Sequence, residues 1–130
     1  MATVTTKLTL SSSDLTSQIL SLSLSKAITA SHTTGLARTK VGQTAVHASA
    51  ALLYTADDYA ATAYIYIKNI DTTATNYVYV YNDTTTGDPV MLKLAGGEFA
   101  FLPTNADKTL RAYGTNATSV VEWMVFGVDQ

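Results

Sequence analysis

Apolar and polar residues alternate with a period of two along most of this chain, a rhythm that fits half-buried strands and not helices. Val4, Leu8 and Leu10 fall on one face of a first segment, opposite Thr3, Thr5, Lys7 and Thr9. Leu20, Leu22 and Leu24 alternate with Ser21, Ser23 and Ser25 in a second. Tyr64-Ile65-Tyr66-Ile67 and Tyr77-Val78-Tyr79-Val80-Tyr81 alternate aromatic with β-branched residues, the composition that suits a pleated surface. Shorter runs follow at Met91–Leu94, Phe99–Leu102 and Thr109–Tyr113. The last run, Val120–Phe126, is apolar on nearly both faces and reads as a central strand covered on both sides.

Turn-forming clusters divide these runs at short intervals: Asp71–Ala74, Asn82–Asp88, Gly96-Gly97, Pro103–Asp107 and Gly114–Asn116. About eight to ten strands so spaced predict an all-β, antiparallel two-sheet sandwich of jelly-roll type rather than a small barrel. Two segments carry helical signals. Thr44–Leu53 is alanine-rich, and Asp14 is placed to cap a short turn through Gln18. No linker or charge block divides the chain, so residues 1–130 are expected to form one domain. The segment 1–10 is either its first strand or an extended arm.

Composition narrows the function classes. The chain has no cysteine, so disulfides, thiolate nucleophiles and cysteine-ligated metals are excluded. A formal charge of −2 supplies no basic excess for nucleic acid or for an anionic membrane surface. The start of the chain lacks a basic region followed by an apolar run, and Leu15–Leu24 is too short and polar to span a bilayer. Only 14% of residues are charged, against roughly 25% in ordinary soluble domains. Ser and Thr make up about a quarter of the sequence and are expected to cover the surface instead. Uncharged hydroxyls cost less to desolvate than charges, which suits extended contact areas.

Candidate chemistry is sparse. His32 sits in a turn-like stretch and His47 among alanines, neither with a partner at metal-ligand spacing. Asp57 and Asp58 are adjacent, so in extended chain they point to opposite faces. Asp83 and Asp88 bracket a Thr-rich loop that fits a plain hairpin better than a calcium site. No G-x-S-x-G elbow occurs, and Gly87, Gly96 and Gly97 do not form a phosphate loop. No catalytic residue, metal or cofactor is expected. Glu122, inside the apolar last strand, is expected to form a structural ion pair with Arg111.

The tyrosines form the most informative pattern. Tyr64 and Tyr66 lie opposite Ile65 and Ile67, and Tyr77, Tyr79 and Tyr81 lie opposite Val78 and Val80. If the two segments form a hairpin across Asp71–Ala74, Tyr66 faces Tyr77 and Tyr64 faces Tyr79, with Ile65 meeting Val78 in the core. The resulting aromatic face has three readings: an ordinary half-covered face, a protein contact surface, or, ranked third, a platform for stacking sugars.

The half from Tyr64 onward carries the segments Tyr64–Asn69, the Tyr-Val repeat, Lys93-Leu94-Ala95-Gly96-Gly97-Glu98-Phe99 leading to Pro103, and Leu110–Tyr113 with Val120–Trp123. This pattern resembles small virion structural proteins of tailed bacteriophages. The resemblance implies a jelly-roll-like sandwich on the outside of a capsid or in the tail, made in the host cytoplasm and residing in the virion. Proteins of this kind act as decoration or cement proteins, often as homotrimers that bridge shell subunits. The implied partners are therefore the chain itself and the major capsid protein or another virion protein, with no nucleic acid and no membrane. A tail or collar component, or a glycan-binding module displayed on the virion, is the alternative.

Overall fold

The computed structural model describes residues 1–15, 17–43, 50–56, 58–83 and 90–130. Eleven strands run through them: β1 (Ala2–Ser12), β2 (Leu20–Ala30), β3 (His32–Thr33), β4 (Ala37–Lys40), β5 (Ala51–Tyr54), β6 (Tyr59–Asn69), β7 (Val78–Asp83), β8 (Val90–Leu94), β9 (Phe99–Asn105), β10 (Thr109–Gly114) and β11 (Val120–Asp129). The period-two reading is thus borne out. No helix occurs among the described residues. Residues 51–53, the end of the alanine-rich segment expected to be helical, belong to strand β5, and residues 44–49 lie outside the described residues. Pairing with β10 explains the difference, since a sheet edge overrides a weak local helix preference. At the other expected helix, the backbone N–H groups of Asp14 and Leu15 donate to Ser12 Oγ at 3.3 and 3.0 Å, which makes a hydroxyl-held turn.

Strands β3 to β11 form a two-sheet sandwich. One sheet has the order β5-β10-β7-β8; the other runs β3-β11-β6-β9, with β4 beside β11 as well. All pairings are antiparallel. From β4 to β11 the chain changes sheet at every connection except the one between β7 and β8, and this alternation is the jelly-roll topology. We call these the β7 sheet and the β6 sheet. As expected from its composition, β11 is internal to its sheet, flanked by β6 and by β3 and β4.

The inward faces follow from the alternation. Ile65 and Ile67 of β6 and Val121, Trp123 and Val125 of β11 meet Val78 and Val80 of β7 and Leu110 and Ala112 of β10 in one core. Trp123 keeps its indole N–H satisfied by donating to Thr39 Oγ1 at 2.9 Å. Gly97 takes φ +85° in the turn after β8, a conformation that side chains disfavour. Glu98 N–H donates to Ala95 O at 3.0 Å to close that turn. It is not a hairpin turn, because β8 and β9 belong to different sheets.

β1 and β2 form a sheet of their own, an antiparallel ribbon with eleven paired positions from Ala2↔Ala30 to Ser12↔Leu20. The arm considered over 1–10 is therefore a hairpin that reaches to Ala30. Val4, Ile28 and Ala30 at its base pack on Phe126, Tyr64 and Met124, on the outer face of the β6 sheet.

Candidate functional site

Two outer faces and the arm carry the residues singled out by the sequence. Alternation along β6 and β11 sends Ile65, Ile67, Val121 and Val125 inward, so Tyr64, Tyr66, Glu122, Met124 and Phe126 point outward. Register places Phe126 opposite Tyr64, with Met124 and Phe101 on either side of Tyr66. The rings of Tyr64, Phe101 and Phe126 form a near-parallel cluster with centroids 5.7 to 6.3 Å apart. The arm covers its Phe126 end, while Phe99 and Phe101 remain exposed at the other.

The remaining part of this face is polar. Glu122 is opposite Arg38 of β4, whose Nη2 lies 2.9 Å from Oε2 and whose Nε–H donates to the same oxygen at 3.0 Å. Tyr66 O–H donates to Oε1 at 3.1 Å. Hydrogen bonds from Arg38 and then from Tyr66 hold the Glu122 carboxyl below its ordinary value of 4.5. The Tyr66 phenol is raised in turn, by burial and by the adjacent carboxylate. The expected ion pair with Arg111 is thus replaced. Arg111 belongs to β10 in the opposite sheet, where its Nη1 donates to Ala50 O at 3.1 Å. Two sheets intervene between outward-facing Glu122 and Arg111, whereas β4 is the direct ladder neighbour of β11.

The second aromatic face lies on the other side of the sandwich. Tyr79 of β7 is opposite Tyr113 of β10 on one side and Lys93 of β8 on the other. Tyr79 and Tyr113 stack with centroids 5.1 Å apart, and Tyr81 meets Tyr113 edge-on at 5.8 Å. Lys93 Nζ sits 4.0 Å above the Tyr77 ring, within cation–π range. Tyr77, Tyr79 and Tyr113 are half-buried, and Tyr81 is buried.

The five expected tyrosines therefore do not form one face. β6 pairs with β11 and β9, and β7 with β10 and β8, so Tyr66 does not face Tyr77 and Tyr64 does not face Tyr79. A period of two identifies the face of a strand but not its neighbour, and the connection after β6 crosses between sheets instead of turning back. Ile65 and Val78 do share the core.

Candidates for reaction chemistry remain apart. Among the described residues no group of three His, Asp or Glu side chains comes together to hold a metal. His32 packs edge-on against buried Tyr59 at 5.0 Å and lies 3.8 Å from the carboxylate of Asp129, which is exposed as His32 is. Asp58 accepts from Thr55 N–H at 2.8 Å in a turn. His47, Asp57, the loop 84–87 and Asp88 lie outside the described residues. Tyr59, beside Asp58, is buried with its phenol pushed up to about 12 by burial and then by Asp58 and Tyr54, so it stays protonated. The described surfaces offer rings, hydroxyls and the Arg38–Glu122 ion pair, whose arginine is largely exposed. Compared with known protein families, characterised proteins and solved structures, the chain matches none.

Proposed function

We propose that this chain is a non-enzymatic structural protein of a virion of tailed-phage type, working by surface contact with copies of itself and with a shell protein. Outer capsid decoration is the favoured location, ahead of tail or collar. The observation that carries the reading is the arrangement of contact surface on one small jelly roll. An aromatic cluster and a projecting apolar arm occupy one side, and a tyrosine face occupies the other. Tyrosine offers large contact area with few rotatable bonds and is enriched at interfaces. A unit with contact surface on both sides can bridge neighbours, and trimerisation would multiply weak single-copy contacts through effective concentration. Jelly rolls also occur in lectins, so fold alone does not choose between these functions.

The test is location and mass. Antibody against the purified chain should label the outer shell of intact virions that carry its coding sequence. Light scattering on the free chain should give a multiple of 13.8 kDa, with three copies expected. Absence from purified particles would overturn the reading.

A further inference from the structure

We infer that the leucine face of the β1–β2 arm is a self-association surface, covered in solution by the same face of a second copy. The inference deepens the self-assembly reading above and rests on it. The register Leu8↔Leu24, Leu10↔Leu22 and Ser12↔Leu20 puts five leucines on one side of the ribbon. The other side is mostly serine and threonine, with Ser23 opposite Thr9 and Ser21 opposite Ser11, and carries Lys7 opposite Ser25. Toward the base of the arm the same side carries Thr6 opposite Lys26 and then Val4 opposite Ile28, which pack on Phe126. Farther out it is bare: Leu8 is 48% exposed, Leu10 46%, Leu22 37% and Leu24 55%.

Leu8 and Leu24 also open onto a groove of about 530 Å³ whose far wall is Phe99 and Phe101, 67% and 40% exposed. The leucine face is thereby continuous with the uncovered end of the aromatic cluster. Taking about 200 Å² for each large side chain, these six residues expose roughly 590 Å² of apolar surface. A standard interface buries about 800 Å² per partner, a little over half of it non-polar. The patch thus more than matches the apolar share of one stable interface. It is also at the upper range of what monomers leave open. A two-stranded ribbon with one uncovered apolar face is marginal in water, so the arm needs a cover.

The occupant follows from composition. The outer part of the face, Leu8 to Ser12 and Leu20 to Leu24, carries no charge, while the face's one charged residue, Lys26, stands opposite Thr6 nearer the base and borders the groove. The outer part therefore offers nothing to select a charged partner. It demands a flat, uncharged apolar surface with matching side-chain spacing, and the same ribbon on a second copy provides one. Two such faces stack as a small sandwich; three close into a prism with leucines on its axis.

The experiment uses the full chain and its only tryptophan, Trp123 in the main core, as a probe of the body. Leu10→Thr with Leu22→Thr keeps strand-forming residues and should reduce the scattering mass from a multimer to a single chain. The unfolding midpoint reported by Trp123 at low protein concentration should stay unchanged. Because the chain has no cysteine, Leu22→Cys should form an intermolecular disulfide on mild oxidation, and Ser23→Cys on the opposite face should not. A multimer that survives the double substitution and leaves Leu22→Cys uncrosslinked would overturn the arm interface while leaving self-assembly intact. A wild-type chain that is monomeric at all concentrations would overturn both. Binding of a monomeric wild type to phosphatidylcholine vesicles, lost in the double variant, would put lipid in place of the second copy and overturn the inference.

Discussion

The side-chain amide of Asn69 donates to the Leu94 carbonyl at 3.1 Å, and this bond joins the end of β6 in one sheet to the end of β8 in the other. The same amide donates to Asn76 O at 2.8 Å, and Oδ1 accepts from Asp71 N–H at 3.1 Å. Asn69 is fully buried, so its own amide would otherwise lose water without compensation. Asp71 extends the network, accepting from Thr73 N–H and from the Asn76 side chain, both at 2.8 Å. Replacing Asn69 with Leu should cost about 2–4 kcal/mol, since the buried Leu94 carbonyl and the part-buried Asn76 carbonyl lose their donor. Urea unfolding followed by Trp123 fluorescence would measure it; a cost under about 1 kcal/mol would mean the tie is dispensable.

Gly96 and Gly97 should respond to alanine for different reasons. A Cβ at Gly96 would stand 2.4 Å from Thr73 O and 2.8 Å from Asp71 O, both backbone atoms of the Asn69-held loop. At Gly97 nothing lies within 4 Å, but φ is +85°. Gly97→Ala should cost about 1–2 kcal/mol from backbone strain alone. Gly96→Ala should cost more, because the loop itself has to move. Equal midpoints for the two variants in the same denaturation assay would show that the loop yields freely.

Glu122 should give the fold a measurable pH dependence. Its carboxyl in the folded chain ionises below 4.5, so between these two values the unfolded chain binds more protons than the folded one. The stabilisation is therefore complete above the unfolded value and fades as pH falls through the folded one. Asp71 is also lowered from 3.8 and contributes in the same direction. Comparison with Glu122→Gln separates the two: wild type should melt higher at pH 7, and the gap should narrow steadily below about pH 4.5. A gap constant with pH would assign the effect to packing.

Tyr79→Ser combined with Tyr113→Ser should separate the two sides of the molecule. The stacked pair is worth about 0.5–1.5 kcal/mol beyond burial, so the fold should survive its loss. Under the proposed function, binding to the virion shell should weaken while arm-dependent self-association stays unchanged. Unaltered shell binding in cosedimentation would make this an ordinary half-covered sheet face.

The strands and their inward faces were legible because alternation is a local property. Ile65, Ile67, Val78 and Val80 are core residues, as their spacing demands. Neighbours were not legible, because strands of either sheet carry the same period. Tyr66 and Tyr77 looked like partners across a short connection, yet Asn69 and Asp71 hold that connection in a path between sheets. The partner of Glu122 was missed for a related reason: Arg38 is 84 positions away in sequence. Its one local trace was the placement of Arg38 and Lys40 on the same side of a short alternating run. The leucines of the arm were visible as two separate runs. What hid the hairpin was the stretch 13–19, which contains neither glycine nor proline to announce a turn.

Among the described residues, no side chain of β1 or β2 enters the main core; the ribbon holds the body through Val4, Ile28 and Ala30 in the smaller cluster around Phe126. Its detachment therefore leaves the inter-sheet core untouched, and the chain has two opening reactions instead of one. Amide protons of β1 and β2 should exchange through the cheaper event, while those of β6 and β11 wait for global unfolding. An assembly held through such an arm would come apart without denaturing its members, so disassembly and unfolding would run at separate rates.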